Sequence, residues 1–207
     1  MISIIDYGLG NIQAFANIYK RLNIEVNIAR TKDELEKANK LILPGVGSFD
    51  WAMKRLVDSG MRNLLDEMVI GEKTSILGIC VGMQMMATRS DEGELPGLGW
   101  IDGDVKRFDM SGSAERTELP HMGWNDVRPV GANGLFKALD EGARFYFLHS
   151  YYFASKDDKH VLALTDYNGQ FASSVGRNNI YGVQFHPEKS HLWGIQLLKN
   201  FAELEQC

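Results

Sequence analysis

The sequence predicts an α/β fold with a central mixed, mostly parallel sheet flanked by helices. Three observations predict it. Short apolar runs at 2–5, 41–43 and 75–79 each lead into a glycine-bearing turn, as expected of strands buried on both faces. Between these runs, apolar residues recur at helical spacing. Beyond Trp100, strand-like segments follow one another with few helices between them, which extends the same sheet in antiparallel or mixed fashion.

Taken in order, Ile2, Ile4 and Ile5 form the first strand, closed by Tyr7-Gly8-Leu9-Gly10. Ile12, Phe15, Ala16, Tyr19 and Leu22 mark the inner face of the first helix. A strand over 25–29 precedes Thr31 and Glu34, which are spaced as a capping box for a short helix. Leu41, Ile42 and Leu43 make a buried strand ending at Pro44-Gly45-Val46-Gly47, and helices follow over 49–58 and 61–69. The strand 75–79 runs straight into Cys80, with helical spacing over 83–88. Later strands are expected over 100–108, 125–128, 145–153, 161–165, 171–176 and 180–185. A closing helix over 193–204 turns Leu197, Leu198, Phe201 and Leu204 inward. With no repeat and no low-complexity linker, residues 1–207 read as a single domain.

Composition narrows the function. The 207 residues are 44% hydrophobic and 24% charged, enough for one sizeable core. A net charge of −5 provides no basic footprint for nucleic acid. The only two cysteines are Cys80 and Cys207, which argues against a disulfide scaffold and for a reducing cytoplasm. Residues 1–6 read as a strand and lack the basic start of a signal peptide. No apolar run reaches the length of a membrane span.

The chemistry gathers at a few positions. A lone cysteine in an apolar stretch is more often a small buried hydrophobe than a nucleophile. In Gly78-Ile79-Cys80-Val81-Gly82, however, the cysteine ends a strand, precedes a helix and is flanked by glycines two residues away on each side. That is the pattern of a nucleophile elbow, with sulfur in place of a serine oxygen. The sharp turn lifts the thiol above the sheet, and the free N–H groups of a helix start favour the thiolate.

A base is available in His186-Pro187-Glu188, which follows a strand. Proline holds His186 extended, and residues two apart then project to one side, so Glu188 can orient the imidazole. A surface His and Glu in a turn is the alternative for this motif standing alone. Pro44-Gly45-Val46-Gly47 lies at the strand edge where open α/β sheets bind ligands. Its N–H groups at Val46 or Gly47 would form an oxyanion hole with that of Val81, although the loop also reads as a plain strand-to-helix turn. Gly8-Leu9-Gly10 is not a dinucleotide fingerprint, because Gln13 stands at the third glycine position and no acidic residue lies at the expected ribose position near Ala29. His121, His149, His160 and His191 have no metal-ligand spacing with the cysteines, so no metal and no cofactor are expected. Met83, Met85 and Met86 read as core.

With these motifs placed, the sequence resembles the glutamine amidotransferase subunit of imidazole glycerol phosphate synthase, within the triad, or class I, glutamine amidotransferases. The resemblance covers essentially the whole chain. It rests on Asp6-Tyr7-Gly8-Leu9-Gly10-Asn11, Leu43-Pro44-Gly45-Val46-Gly47, Gly78-Ile79-Cys80-Val81-Gly82-Met83-Gln84, Pro120-His121-Met122-Gly123-Trp124-Asn125, His149-Ser150-Tyr151-Tyr152 and Gln184-Phe185-His186-Pro187-Glu188-Lys189-Ser190. It implies the class I fold and glutamine hydrolysis with Cys80 as nucleophile, His186 as proton carrier and Glu188 as its orienting partner. By the same resemblance Gly47, Gln84, Ser150 and Tyr151 hold glutamine, and Asn11, Trp124 and Lys189 meet a (β/α)₈-barrel cyclase in a heterodimer. Ammonia would pass through that partner to a ribonucleotide intermediate, giving imidazole glycerol phosphate and aminoimidazole carboxamide ribotide in histidine biosynthesis. Val81 stands where the family often has leucine, which leaves its backbone donor intact. Two other readings stay open at this point. One is a paralogous subunit that feeds another synthase, such as a sugar amidotransferase for surface polysaccharides. The other is a catalytically silent regulatory subunit.

Overall fold

Three wholly buried apolar runs, β1 (Ile2–Ile5), β3 (Lys40–Gly45) and β4 (Ser75–Cys80), lie side by side as parallel strands. The structure, a computed structural model, describes residues 1–111, 118–139 and 142–205; Cys207 lies outside them. Strand β2 (Val26–Ala29) pairs on the far side of β1. The remaining strands are β5 (Arg89–Ser90), β6 (Gly103–Arg107), β7 (His121–Asp126), β8 (Arg128–Pro129), β9 (Arg144–His149), β10 (Tyr151–Ser155), β11 (Val161–Asp166), β12 (Gln170–Arg177) and β13 (Ile180–Val183). The helices are α1 (Ile12–Arg21), α2 (Lys32–Leu35), α3 (Phe49–Asp58), α4 (Arg62–Asp66), α5 (Val81–Gln84) and α6 (His191–Glu203), with a π-helical turn Glu67–Gly71 after α4.

Among the described residues the main sheet has eleven strands, in the path β2-β1-β3-β4-β13-β12-β10-β6-β5 with β11 and β8 branching from β12. Its first half, through β13, is parallel, and the β12, β10 and β6 pairings beyond are antiparallel. The last strand in sequence, β13, inserts beside β4 in parallel, with Val183 opposite Ile79. That insertion carries the residues after Val183 to the same sheet edge as Cys80. The predicted capping box forms at Thr31 and Glu34. In α6, Leu197, Leu198 and Phe201 are buried as expected.

Three elements differ from the sequence expectation. The strand expected over 145–153 breaks at Ser150. Strand β9 pairs only with β7, as a separate two-stranded ribbon, whereas β10 joins the main sheet. The ring of His149 turns back onto the carbonyl of Tyr151 at 2.8 Å and closes the bend. The helix expected over 83–88 instead starts at Val81 and ends at Gln84. The carbonyls of Met85, Met86, Ala87 and Thr88 are taken by the N–H groups of Leu98, Ile101, Gly99 and Gly97, at 2.7–3.1 Å, so the helix cannot propagate. The strand expected over 125–128 starts earlier, at His121, and is separated from the short β8.

Two glycines permit the turn at the end of β4. A side-chain carbon at Gly82 would run into the backbone carbonyl of Leu43, and one at Gly78 would press on the backbone of Gly82. Neither obstacle is a flexible side chain. Overpacking of this kind costs about 1–3 kcal/mol. Gly82→Ala is therefore expected to lower unfolding free energy by about that amount, measured by urea denaturation, and to displace the turn that carries Cys80.

Candidate active site

Cys80 is the last residue of β4 and sits at φ 54°, ψ −112°, a region that residues with a side chain rarely occupy. Neighbouring strands hold it there. Gly45 of β3 is its partner in the register on one side. On the other side, the β4–β13 register continues from the Ile79–Val183 pair to set Gln184 beside it. Immediately after Cys80 comes α5, a single turn, so the thiol lies over the free N–H groups of a helix start rather than over a long helix dipole.

His186 is extended at φ −103°, ψ 92°, as the following proline requires. Its N–H donates to the carbonyl of Tyr146 at 2.8 Å. The Ser190 hydroxyl donates to the carbonyl of His186 at 2.6 Å and accepts from the N–H of Tyr146 at 3.0 Å. Glu188 meets the imidazole as expected, with Oε1 3.0 Å from Nδ1. The route differs from the extended spacing read in the sequence, because Pro187–Lys189 forms a 3₁₀ turn that folds the carboxylate back. Both side chains are almost wholly buried, at 5% and 3% exposure. The second carboxylate oxygen of Glu188 is buried without a hydrogen-bond partner among the described residues.

Burial alone would disfavour a charged His186. Hydrogen bonds to Cys80 and Glu188, and the charges these two carry, outweigh it and raise the imidazole from 6.5 to about 10. A charged imidazole between a sulfur and a desolvated carboxylate is the arrangement that keeps a thiolate nucleophilic at neutral pH.

With Glu188 buried behind the imidazole, Cys80 and His186 line a pocket of about 290 Å³. Val46, Gly47 and Val81 of the expected oxyanion hole line it, as do Gln84, Ser150 and Tyr151. Gly47 has φ +86°. Lys189 lines the mouth, its ammonium 5.6 Å from the centre of the Tyr146 ring. Trp124 lies behind Tyr146 and stacks on His191 at an interplanar angle of 4°. Asn11 is exposed in the loop before α1, next to Gly10, which packs on Pro44.

Sequence reading missed four residues at this site. Tyr7 donates its hydroxyl to the carbonyl of Pro44 at 2.6 Å and so supports the glycine loop. Glu92 lines the pocket and also accepts from the N–H of Phe49 at 2.8 Å, capping α3 from a distant loop. His149 lines the pocket from β9. Gln184 is wholly buried with its amide nitrogen 3.6 Å from the Cys80 sulfur. Only Gln184 left a local signal: it precedes His186 by two residues and so shares its side of the strand.

The stability contributed by a raised imidazole is fully present below its unfolded value of 6.5 and is lost as pH rises toward about 10. Unfolding free energy is therefore expected to decline across that window, followed by urea denaturation at stepped pH. The decline should be shallower in Cys80→Ala, which lacks the sulfur that helps to hold the charge.

The family model of class-I glutamine amidotransferases matches residues 3–204. The imidazole glycerol phosphate synthase subunit HisH of Bdellovibrio bacteriovorus is 59% identical over 204 residues, covering 99% of this chain and all of that one. The HisH subunit of Leptospira borgpetersenii is 50% identical over the same coverage. Among solved structures, a glutamine amidotransferase superposes with a TM-score of 0.69 at 21% identity, covering 96% of this chain and 98% of that chain. PurLQS from Thermotoga maritima superposes at 0.65 and 19% identity, covering 97% and 96%. These two likenesses speak for the fold, and the close relatives for the family: the chain belongs to the class-I glutamine amidotransferases, among the HisH subunits of imidazole glycerol phosphate synthase.

Proposed function

We propose that this chain hydrolyses glutamine to glutamate and ammonia, and passes the ammonia to a (β/α)₈-barrel cyclase with which it forms a cytoplasmic heterodimer in histidine biosynthesis. The observation that carries the reading is that Cys80 and His186 line one pocket while Glu188 backs the imidazole at 3.0 Å. The Cys80 sulfur attacks the carboxamide carbon of glutamine. Its oxygen gains negative charge and turns toward the N–H of Val81 and that of Val46 or Gly47. His186 gives its proton to the departing nitrogen, ammonia leaves, and a thioester remains on Cys80. The neutral imidazole then takes a proton from water, the resulting hydroxide attacks the thioester, and glutamate departs as the sulfur regains its charge. Glu188 orients the ring throughout.

Gln84, Ser150 and Tyr151 hold the amino-acid end of glutamine. Gln84 spends its amide N–H groups on Tyr151 and Gln184, which leaves its oxygen to accept from the substrate. The Glu92 carboxylate at the pocket wall suits the α-ammonium group.

Partner docking is supported by an apolar stripe around the pocket mouth. Met122 and Leu148, 65% and 39% exposed, face each other across the β7–β9 ribbon, and Trp124 and Val46 flank them. A stripe of this kind marks an interface more than a solvent face. Asn11 and Lys189 supply polar contacts at its edge. Isolated activity is low in this reading, because the Gly45–Gly47 loop must present an N–H to the oxyanion, and the liganded partner raises it.

Glutaminase activity of wild type and Cys80→Ala, alone and with the barrel synthase and its ribonucleotide ligand, tests the reading. Stimulated activity that falls at least about 10³-fold in Cys80→Ala is the expected result. Absence of stimulation by that ligand would send the ammonia to a different acceptor, and equal activity in Cys80→Ala would end the triad reading. Trp124→Ala is expected to weaken association with the synthase about 30-fold, the effect of losing an aromatic anchor, as measured by titration calorimetry.

A further inference from the structure

We infer that Gln184 is an additional catalytic residue: its side-chain amide donates a hydrogen bond to the Cys80 sulfur and stabilises the thiolate. The inference rests on the proposed role of Cys80 as nucleophile and adds a donor to it. Three observations carry it. The amide nitrogen of Gln184 is 3.6 Å from the Cys80 sulfur. The β4–β13 ladder ends with Val183 opposite Ile79, and Gln184 and Cys80 are the residues that follow that last pair. The amide can face the sulfur only with its nitrogen, as its surroundings dictate.

That last point follows from groups with a fixed role. A backbone carbonyl can only accept, so the Gln84 atom 3.0 Å from the Tyr151 carbonyl is the nitrogen. The same nitrogen lies 3.0 Å from the other amide, so the atom it meets there is the Gln184 oxygen. The remaining atom of Gln184, the one beside sulfur, is its NH₂ group. The Tyr151 carbonyl is itself pinned from the far side. His149 Nδ1, 2.8 Å away, must carry a proton to donate to it, which leaves His149 Nε2 as an acceptor. His121 Nδ1 is 2.9 Å from that nitrogen and so carries the proton between them. His121 Nε2 then accepts from the Asn125 amide at 3.2 Å, whose oxygen is fixed by the N–H of Asp126 at 2.8 Å. Burial holds both rings neutral, lowering His121 to about 4 and His149 to about 3. Every orientation from Asn125 to Gln184 is thus determined, and the chain ends with an N–H on the nucleophile. Hydrogen bonding to a charged form favours that form.

The titratable groups that face Cys80 are His186 after β13, Tyr7 after β1 and His149 on β9, with Glu92 and Lys189 across the pocket. The Gln184 side chain is hydrogen-bonded to Gln84 and Cys80 and to none of these groups among the described residues. The experiment is the pH dependence of Cys80 alkylation by iodoacetamide, followed on the Cys80 peptide by mass spectrometry, in wild type, Gln184→Met and Gln184→Glu. Methionine keeps the volume and cannot donate, whereas glutamate sets a carboxylate against the sulfur. The alkylation midpoint is expected to rise by about one pH unit in Gln184→Met and further in Gln184→Glu. The stimulated kcat should fall about tenfold or more, with KM for glutamine within about threefold. A packing role would lower the melting temperature and leave the alkylation midpoint where it is, and that result overturns the inference. If a variant fails to fold, the side-chain amide of Gln184 in ¹⁵N-glutamine-labelled wild type serves instead. Its resonance should titrate with the Cys80 midpoint, and indifference to that titration is equally fatal. An ordinary, unactivated Cys80 in wild type would instead undo the reading of the triad itself.

Discussion

The parallel pairing of β13 with β4 is the contact on which the site depends. The two strands, Ser75–Cys80 and Ile180–Val183, lie far apart in the chain, and each alone is an ordinary buried apolar run. Their backbone ladder sets Val183 opposite Ile79 and thereby puts the residues that follow each strand at one edge of the sheet. A ladder slipped by one residue would turn His186 away from the pocket, because side chains alternate faces along a strand. Burial of both faces of the sheet enforces the register, so core packing and catalytic geometry are selected by the same constraint.

The proposed nucleophile is mounted under strain and the proposed base is mounted without it. Cys80 occupies a left-handed φ of 54°, with the close approach of Gly82 to Leu43 leaving the chain little alternative. His186 has relaxed extended backbone, and its position comes from hydrogen bonds to Tyr146 and Ser190. The His186–Glu188 contact at 3.0 Å carries much of the local electrostatics. Burial opposes the charge on His186, yet sulfur on one side and a desolvated carboxylate on the other more than compensate.

Much of this was legible in the sequence, for physical reasons that differ by element. The parallel half could be read because strands buried on both faces are apolar throughout, as in β1, β3 and β4. The Thr31–Glu34 box could be read because capping is local, and the elbow because its two glycines flank the cysteine symmetrically. What escaped was set by tertiary partners. Helix α5 stops at Gln84 because the N–H groups of Gly97, Leu98, Gly99 and Ile101 take the carbonyls that follow it. The run over 145–153 divides between two sheets because His149 folds back onto Tyr151. Glu92 reaches the pocket from a loop tied to α3, and no local pattern announces such a contact. His149 stood in a motif of the resemblance and was otherwise weighed only as a metal ligand, since a neutral hydrogen-bonding role leaves no trace in spacing.

The β7–β9 ribbon stands apart from the main sheet. It walls the pocket with Leu148 and His149, and its Tyr146 accepts from the N–H of His186 and donates to the Ser190 hydroxyl. Cys80 is held in the interior of the main sheet, between β3 and the end of β13. The sulfur is thus seated by the main sheet, and the imidazole is seated in part by the ribbon. Whatever settles on the exposed Met122 and Trp124 lies against the strand that carries Tyr146 and away from the strands that carry the sulfur.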